Sequence, residues 1–433
     1  MHGSIDEAFN EYLGKQISQE AFFTFWIIQS IESDCETQLT EEETKTIRQQ
    51  VQEALKAQEE KGTSTLELNI QIDSEIDCNF KIPQFTTDNY LEFRQIQTRE
   101  AYRKGTDALA KTYRMVIDEK RAALLEHIDQ GYSGFCGRLN AIWGEALNSL
   151  AVLVHTSQAF GDEFNQSHQS EAEANDDVVF EVLRRLHARA CLIGQEVNTL
   201  LANGFADGAV ARWRTLYEVC VVAHYIKDHG KECAKRFILY QAIDTYKELQ
   251  RHHEHSDINY WSKKEQEAFN SDFEKYAEIK ESLVEEFGNE FHKDYGWTVE
   301  SKDGRALRFN EIEEQCELQR FRPTYKVASG YVHSSSAAVY NPIGYEYPYQ
   351  NVLLAGPSLF GLYTPGVYTA QSLGHISSLL LSHITDLYSV AQLKCVKELR
   401  DEVYEAFDKC DQSMEELRQD NDRDVDNTDE SES

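Results

Sequence analysis

Proline is scarce in this chain, with six in 433 residues, so long stretches are free to be helical. Basic residues are few as well: 43 Lys and Arg face 75 Asp and Glu, for a net charge of −32. Such a field disfavours indiscriminate nucleic-acid binding, though it leaves room for a local basic groove. About half of the excess lies at the two ends, since residues 1–60 carry 13 acids against 4 bases and residues 411–433 carry 10 against 2. The nine cysteines form no C-x-x-C pair and are odd in number, which fits reduced thiols inside a cell and excludes a disulfide scaffold. No run approaches the roughly 18 uncharged apolar residues of a membrane span. The nearest, Leu373 to Leu387, is interrupted by His375, His383 and Asp386. The opening MHGSIDEAFNEY has neither a basic nor an apolar signal region, so the expected location is cytoplasmic, without membrane contact. Walker, dinucleotide and G-x-S-x-G glycine patterns are absent, and the expectation is a chain that works without a cofactor.

What is present is helical periodicity. Residues 5–31 read as short helices around Phe22, Phe23, Phe25 and Trp26. Thr40 stands three residues before Glu43, the capping-box spacing, and opens a helix to about residue 61. STLELNIQIDSEIDCNFKI alternates with period two, placing Leu66, Leu68, Ile70 and Ile72 on one face of extended chain. Long amphipathic helices follow from Asn89 to about Ser157, with a turn expected at Gly131–Gly137. The polar stretch 161–177 reads as a flexible connection. A second block begins at Val178; its first helix stops at Asn203-Gly204, the next spans Asp207 to His229-Gly230, and another runs from about Lys231 to His252. Beyond a loop at 295–308 and a helix opened by Arg322-Pro323, a last helix is expected from about Val367 to Cys410.

The expected fold is therefore mainly α: a multi-helix, bundle-like domain preceded by a helical N-terminal region with one short extended segment. Its divisions are 1–85, a helical region 86–160, the linker 161–177, the main domain 178–410, and an unstructured acidic tail 411–433.

Three of these helices carry polar residues four apart, on one face each. They are Arg214 and Glu218; Arg236, Tyr240 and Asp244; and Tyr325, Ser329 and His333. Buried ions need partners, so the three stripes are expected to meet. The inventory suits an anionic ligand. Arg214 and Arg236 would hold phosphate, while Tyr240, Tyr325 and Ser329 would donate hydrogen bonds. His333 would move a proton, and Glu218 would orient Arg214 or His333. Arg184, Arg185, Arg189 and Arg212 add basic character nearby. The competing explanation is a closed network that fixes how helices pack.

Rival sites are weaker. The run RHHEHSD (251–257) holds metal-ligand types, but a contiguous cluster at a helix end is commonly solvated, so no metal site is assigned. The helical ribonuclease toxins of bacterial defence place Arg and His four to six residues apart. His333 has no Arg at 326–328, and Arg121 to His127 lacks their usual polar second residue. Tyr340–Tyr349 reads as an aromatic turn over the core, with base stacking as its alternative.

The segments ARWRTLYEVCVVAHYIKD, CAKRFILYQAIDTYKEL and YKVASGYVHSSS resemble successive signatures of an uncharacterised bacterial family, domain of unknown function 5677, across about residues 178–395. Its marks fall here on Arg214 and Glu218, on Arg236 and Tyr240, and on Tyr325, Ser329 and His333. The resemblance implies an all-helical domain and supplies no settled activity. Two functional classes stand. One is an effector acting on or sensing an anionic ligand such as RNA or a nucleotide, with ribonuclease chemistry and a bacterial stress or antiviral-defence role by analogy. The other is a non-catalytic module that docks a protein partner.

Overall fold

The computed structural model describes residues 19–35, 39–61, 67–72, 76–81, 87–255, 261–345 and 353–429. The fold is mainly α, as the helical periodicity requires. Among the described residues it comprises α1 (Gln19–Cys35), α2 (Glu41–Lys61), the hairpin strands β1 (Glu67–Ile72) and β2 (Ile76–Lys81), and α3 (Thr87–Ala174). There follow α4 (Val178–Ala202), α5 (Ala206–His255), α6 (Lys263–Phe287), α7 (Phe309–Gln315), α8 (Arg322–Val332), α9 (Ser336–Tyr340), α10 (Tyr363–Leu381) and α11 (Leu387–Asp429).

The chain divides into two compact units, residues 1–129 and 130–433. In the first, Phe23, Ile27 and Ile31 of α1 step by four and bury against Ile47 and Val51 of α2, with Ile70 of β1 completing the cluster. The capping box is formed: Thr40 N–H donates to Glu43 at 2.6 Å, and Glu43 N–H to the Thr40 hydroxyl at 3.3 Å. The period-two segment pairs antiparallel, with Ile70 opposite Cys78.

In the second unit α4 and α5 pack together, α10 lies against both, and α11 lies against α10. Leu183, Ile193 and Val197 of α4, Trp213 and Leu216 of α5, Leu373 and Ile376 of α10 and Phe407 of α11 are wholly or almost wholly buried. Each large apolar side chain so buried contributes about 1.5–3 kcal/mol. The Trp213 indole donates to the Tyr368 carbonyl at 2.9 Å, which ties α5 to α10 through the core.

Several expectations are corrected. The Gly131–Gly137 stretch continues α3 and makes no turn, because helical backbone is open to glycine and nothing forces a reversal. The polar stretch is helical to Ala174: Phe164 and Ala172 are buried, and Gln169 bonds Glu173 one turn on at 2.7 Å. At Gly230 the helix is only interrupted: φ 70 and ψ −155 kink α5, and helix resumes. The expected final helix is two, separated where Asp386 accepts from the Ser389 N–H at 2.6 Å and His383 bonds Asp177 at 2.8 Å. With no proline or glycine between 387 and 429, α11 runs into the acidic stretch expected to be unstructured. The loop at 295–308 is partly a 3-10 turn whose Trp297 and Thr298 are buried.

Candidate functional site

Arg214 and Glu218, one turn apart on α5, form an ion pair at 2.9 Å. Tyr325 of α8 closes the group. Its hydroxyl accepts from Arg214 Nη2 at 3.0 Å and donates to Glu218 Oε1 at 2.7 Å. The guanidinium also lies over the Tyr325 ring, 5.1 Å from its centre. Burial works against the Arg214 charge, but Tyr325 and Glu218 outweigh it and strengthen its protonation. Burial, and then the Glu218 carboxylate, push the Tyr325 phenol up to about 12. Each of the three members thus satisfies the other two. Arg214 Nε remains buried without a partner among the described residues.

Arg236 and Tyr240, beyond the kink, perform a separate task. Arg236 Nε donates to the Trp297 carbonyl at 3.0 Å, and the Tyr240 hydroxyl donates to the Lys293 carbonyl. Lys247 adds bonds to Tyr240 at 3.0 Å and Asp294 at 2.8 Å. Together they clamp the 293–298 loop to α5. Tyr295 connects the two groups: its ring centre lies 6.0 Å from Phe309, which stacks at 5.1 Å on Tyr325. Asp244, a turn beyond Tyr240, makes no hydrogen bond or ion pair among the described residues.

His333 stands apart. Helix α8 ends at Val332, and His333 is its exposed C-cap, with φ −102 and ψ 11, its N–H bonded to the Ser329 carbonyl at 3.1 Å. Among the described residues nothing bonds the imidazole to Arg214 or Glu218. Ser329 is half-buried and contributes that carbonyl. The expected meeting of three stripes is therefore one closed triad, one loop clamp, and a histidine outside both.

Sequence reasoning missed a second buried ionic group. Glu313 of α7 is 1% exposed, accepts from the Tyr217 hydroxyl at 2.5 Å and pairs with Arg322. No local spacing signals a bond across 96 residues; the only hint was Tyr217 beside Glu218 in an apolar helix. The basic region is largely neutralised too. Arg184 and Arg185 both pair with Glu181, and Arg212 pairs with Glu196. Of the RHHEHSD run, His252 to His255 are exposed at the end of α5, and Asp257 lies outside the described residues. Among the described residues no group of three His, Cys, Asp or Glu side chains is placed to hold a metal ion. Of the aromatic turn, Tyr340 is exposed, and residues 346–349 lie outside the description. No helix of the described residues is long and apolar enough to cross a membrane.

Residues 180–346 match the model of a family of unknown function (DUF5677), so this part of the chain resembles that family. The match spans the triad, the clamp and His333. No curated protein and no solved structure matches the chain.

Proposed function

We propose that this chain is a non-catalytic interaction module in which the Arg214–Glu218–Tyr325 triad is an internal brace. The observation that carries this reading is the closure of the triad, with its guanidinium, carboxylate and phenol bonded to one another and, among the described residues, no bond from His333 to any of them. A general base would need a proton donor or acceptor free to meet a substrate.

The docking element we assign is α3. Tyr113, Ile117, Leu124 and Ile128 are each about half exposed. At 3.6 residues per turn these four fall within about 60° of arc, an apolar stripe of the kind that buries against another helix. The occupant is the same stripe of a second copy. Residues 107–129 hold five acids and four bases, so two copies can approach there despite a net charge of −32 on each. Sedimentation velocity on the full chain tests this. Wild type is expected to dimerise, and the Ile117→Glu/Leu124→Glu variant to be monomeric with unchanged helicity. A monomeric wild type, or a variant that still dimerises, refutes it.

One atom favours a second reading. The unpartnered Arg214 Nε supports an anionic ligand such as RNA or a nucleotide, whose phosphate oxygen would supply the missing acceptor. Fluorescence anisotropy with labelled single-stranded RNA and with ATP tests it. Binding lost in Arg214→Gln, with helicity kept, favours this reading over the brace; no binding by wild type removes it.

A further inference from the structure

A groove between α10 and α11 is lined against the charge of the chain. Its volume is about 280 Å³, at the small end of ligand sites. Lys394, Lys397 and Arg400 of α11 line it and no carboxylate does, in a chain with 75 Asp and Glu against 43 Lys and Arg. Val390 and Leu393 give the groove an apolar floor.

The three cations stand three residues apart, so they follow one another along the helix. At about 1.5 Å of rise per residue the row is roughly 9 Å long. Gly374 of α10 admits the last of them: a Cβ there would come 3.2 Å from Arg400 Cδ, so glycine lets the arginine stem lie against the α10 backbone. Asp401, outside the wall, takes up part of the Arg400 charge, accepting from Nε at 3.0 Å and Nη2 at 2.6 Å. Lys394 and Lys397 are exposed, and among the described residues neither is ion-paired, not even to Glu398 one turn from Lys394. Three cations less the Asp401 carboxylate leave a formal charge of +2 at the groove.

The positive field extends past the groove. Arg320, between α7 and α8, is exposed and has no ion pair among the described residues. It acts together with Arg400 on two groups where α10 meets α11. Burial, then His224, Arg320 and Arg400, lower the His375 imidazole to about 4, and each neighbour acting on it is basic. Burial raises the Tyr404 phenol, and Arg400 and Arg320 pull against that rise. An anion seated in the groove would relieve this excess of positive charge. In a chain of net charge −32, such a patch also draws anions to one place.

We infer that the groove binds a compound with two or more linked phosphates, its phosphate chain laid along Lys394, Lys397 and Arg400 and any organic part against Val390 and Leu393. A single small anion would engage one or two of these cations, whereas a row roughly 9 Å long suits a chain. This goes beyond the interaction-module reading, does not depend on it, and uses no member of the Arg214 triad.

The test uses the full chain, with calorimetry at fixed ionic strength against inorganic tripolyphosphate, ATP, AMP and orthophosphate. Tripolyphosphate and ATP are expected to bind, and AMP and orthophosphate to bind more weakly. Equal affinity for the first two assigns the phosphate chain alone, and tighter ATP gives the adenosine a place on the apolar floor. Lys394→Gln/Lys397→Gln is expected to weaken tripolyphosphate about tenfold or more, the scale of charge-assisted contacts, with helicity unchanged. Arg400→Gln tests the wall independently and is expected to weaken it as well. Lys263→Gln/Lys264→Gln on α6 makes the same change of charge elsewhere and is expected to bind like wild type. The inference is overturned if neither polyphosphate binds more tightly than about 1 mM, or if orthophosphate binds as tightly as tripolyphosphate. It is equally overturned if the groove variant binds like wild type, or if the α6 variant loses as much affinity as the groove variant. Labelled single-stranded RNA that binds more tightly than tripolyphosphate, and is lost in the groove variant, would overturn it in favour of a nucleic-acid contact.

Discussion

Removing one hydroxyl should reveal what the triad is for. Tyr325→Phe deletes the acceptor that Arg214 uses at 3.0 Å and the donor that Glu218 uses at 2.7 Å, and leaves the ring stacked on Phe309. Hydrogen bonds to charged groups are each worth roughly 1.5–3 kcal/mol. The loss is smaller here, because Arg214 and Glu218 keep each other at 2.9 Å and are 21% and 27% exposed, so water can partly replace the phenol. We expect a net destabilisation of about 1–2 kcal/mol. For a unit of this size that lowers Tm by about 2–4 °C. The assay is chemical unfolding of wild type, Tyr325→Phe, Glu218→Ala and the double variant. A brace predicts a coupling energy of about 1 kcal/mol in the cycle. A Tyr325→Phe effect below about 0.5 kcal/mol, or additive single effects, would show that the triad does not stabilise the packing of α5 on α8.

Three further outcomes follow. His333→Ala should change stability by no more than about 0.5 kcal/mol, as for an exposed side chain outside any network, and a drop of 2 °C or more in thermal melting would contradict its placement. His187 is 3% exposed, and burial lowers its pKa to about 4. It stays neutral in the fold while the unfolded chain takes up a proton below about 6.5, so stability is full above that pH and declines as pH falls toward about 4. The decline is on the order of 3 kcal/mol for this residue, and His187→Gln should flatten that part of a urea-unfolding series measured against pH. Gly230→Ala meets no neighbour within 4 Å, so only its φ of 70 resists the change. The cost should be about 1–3 kcal/mol, and a neutral result in urea unfolding would mean that the kink relaxes.

How much of this was legible depended on how local each signal was. Arg214 and Glu218 are four apart, and their pairing is a property of one helix, so spacing found it. Tyr325 was found because a polar residue recurs at helical period within an amphipathic stretch. The partners of Arg236 and Tyr240 were hidden because they are backbone carbonyls at Trp297 and Lys293, which no residue pattern encodes. His333 was placed on the face of Tyr325 on the assumption that the helix continued. The chain leaves α8 one residue early, and Ser334 is left-handed with φ 50, so the fourth turn of that face never forms. The glycines at 131, 134 and 137 misled in the opposite direction. Glycine permits a turn but does not impose one, and the buried Leu139 and Trp143 that follow keep α3 helical. Glu313 was invisible for a different reason. A buried carboxylate in a short helix looks like any acidic residue until Tyr217 and Arg322 are brought to it.

We propose that the chain works by association through α3 while its polar cluster braces the fold. Sedimentation velocity of wild type against Ile117→Glu/Leu124→Glu tests that most directly. Wild type is expected to form a concentration-dependent dimer and the variant to be monomeric, with helicity unchanged. A wild type that stays monomeric at high micromolar concentration, or a variant dimer of undiminished affinity, would contradict it.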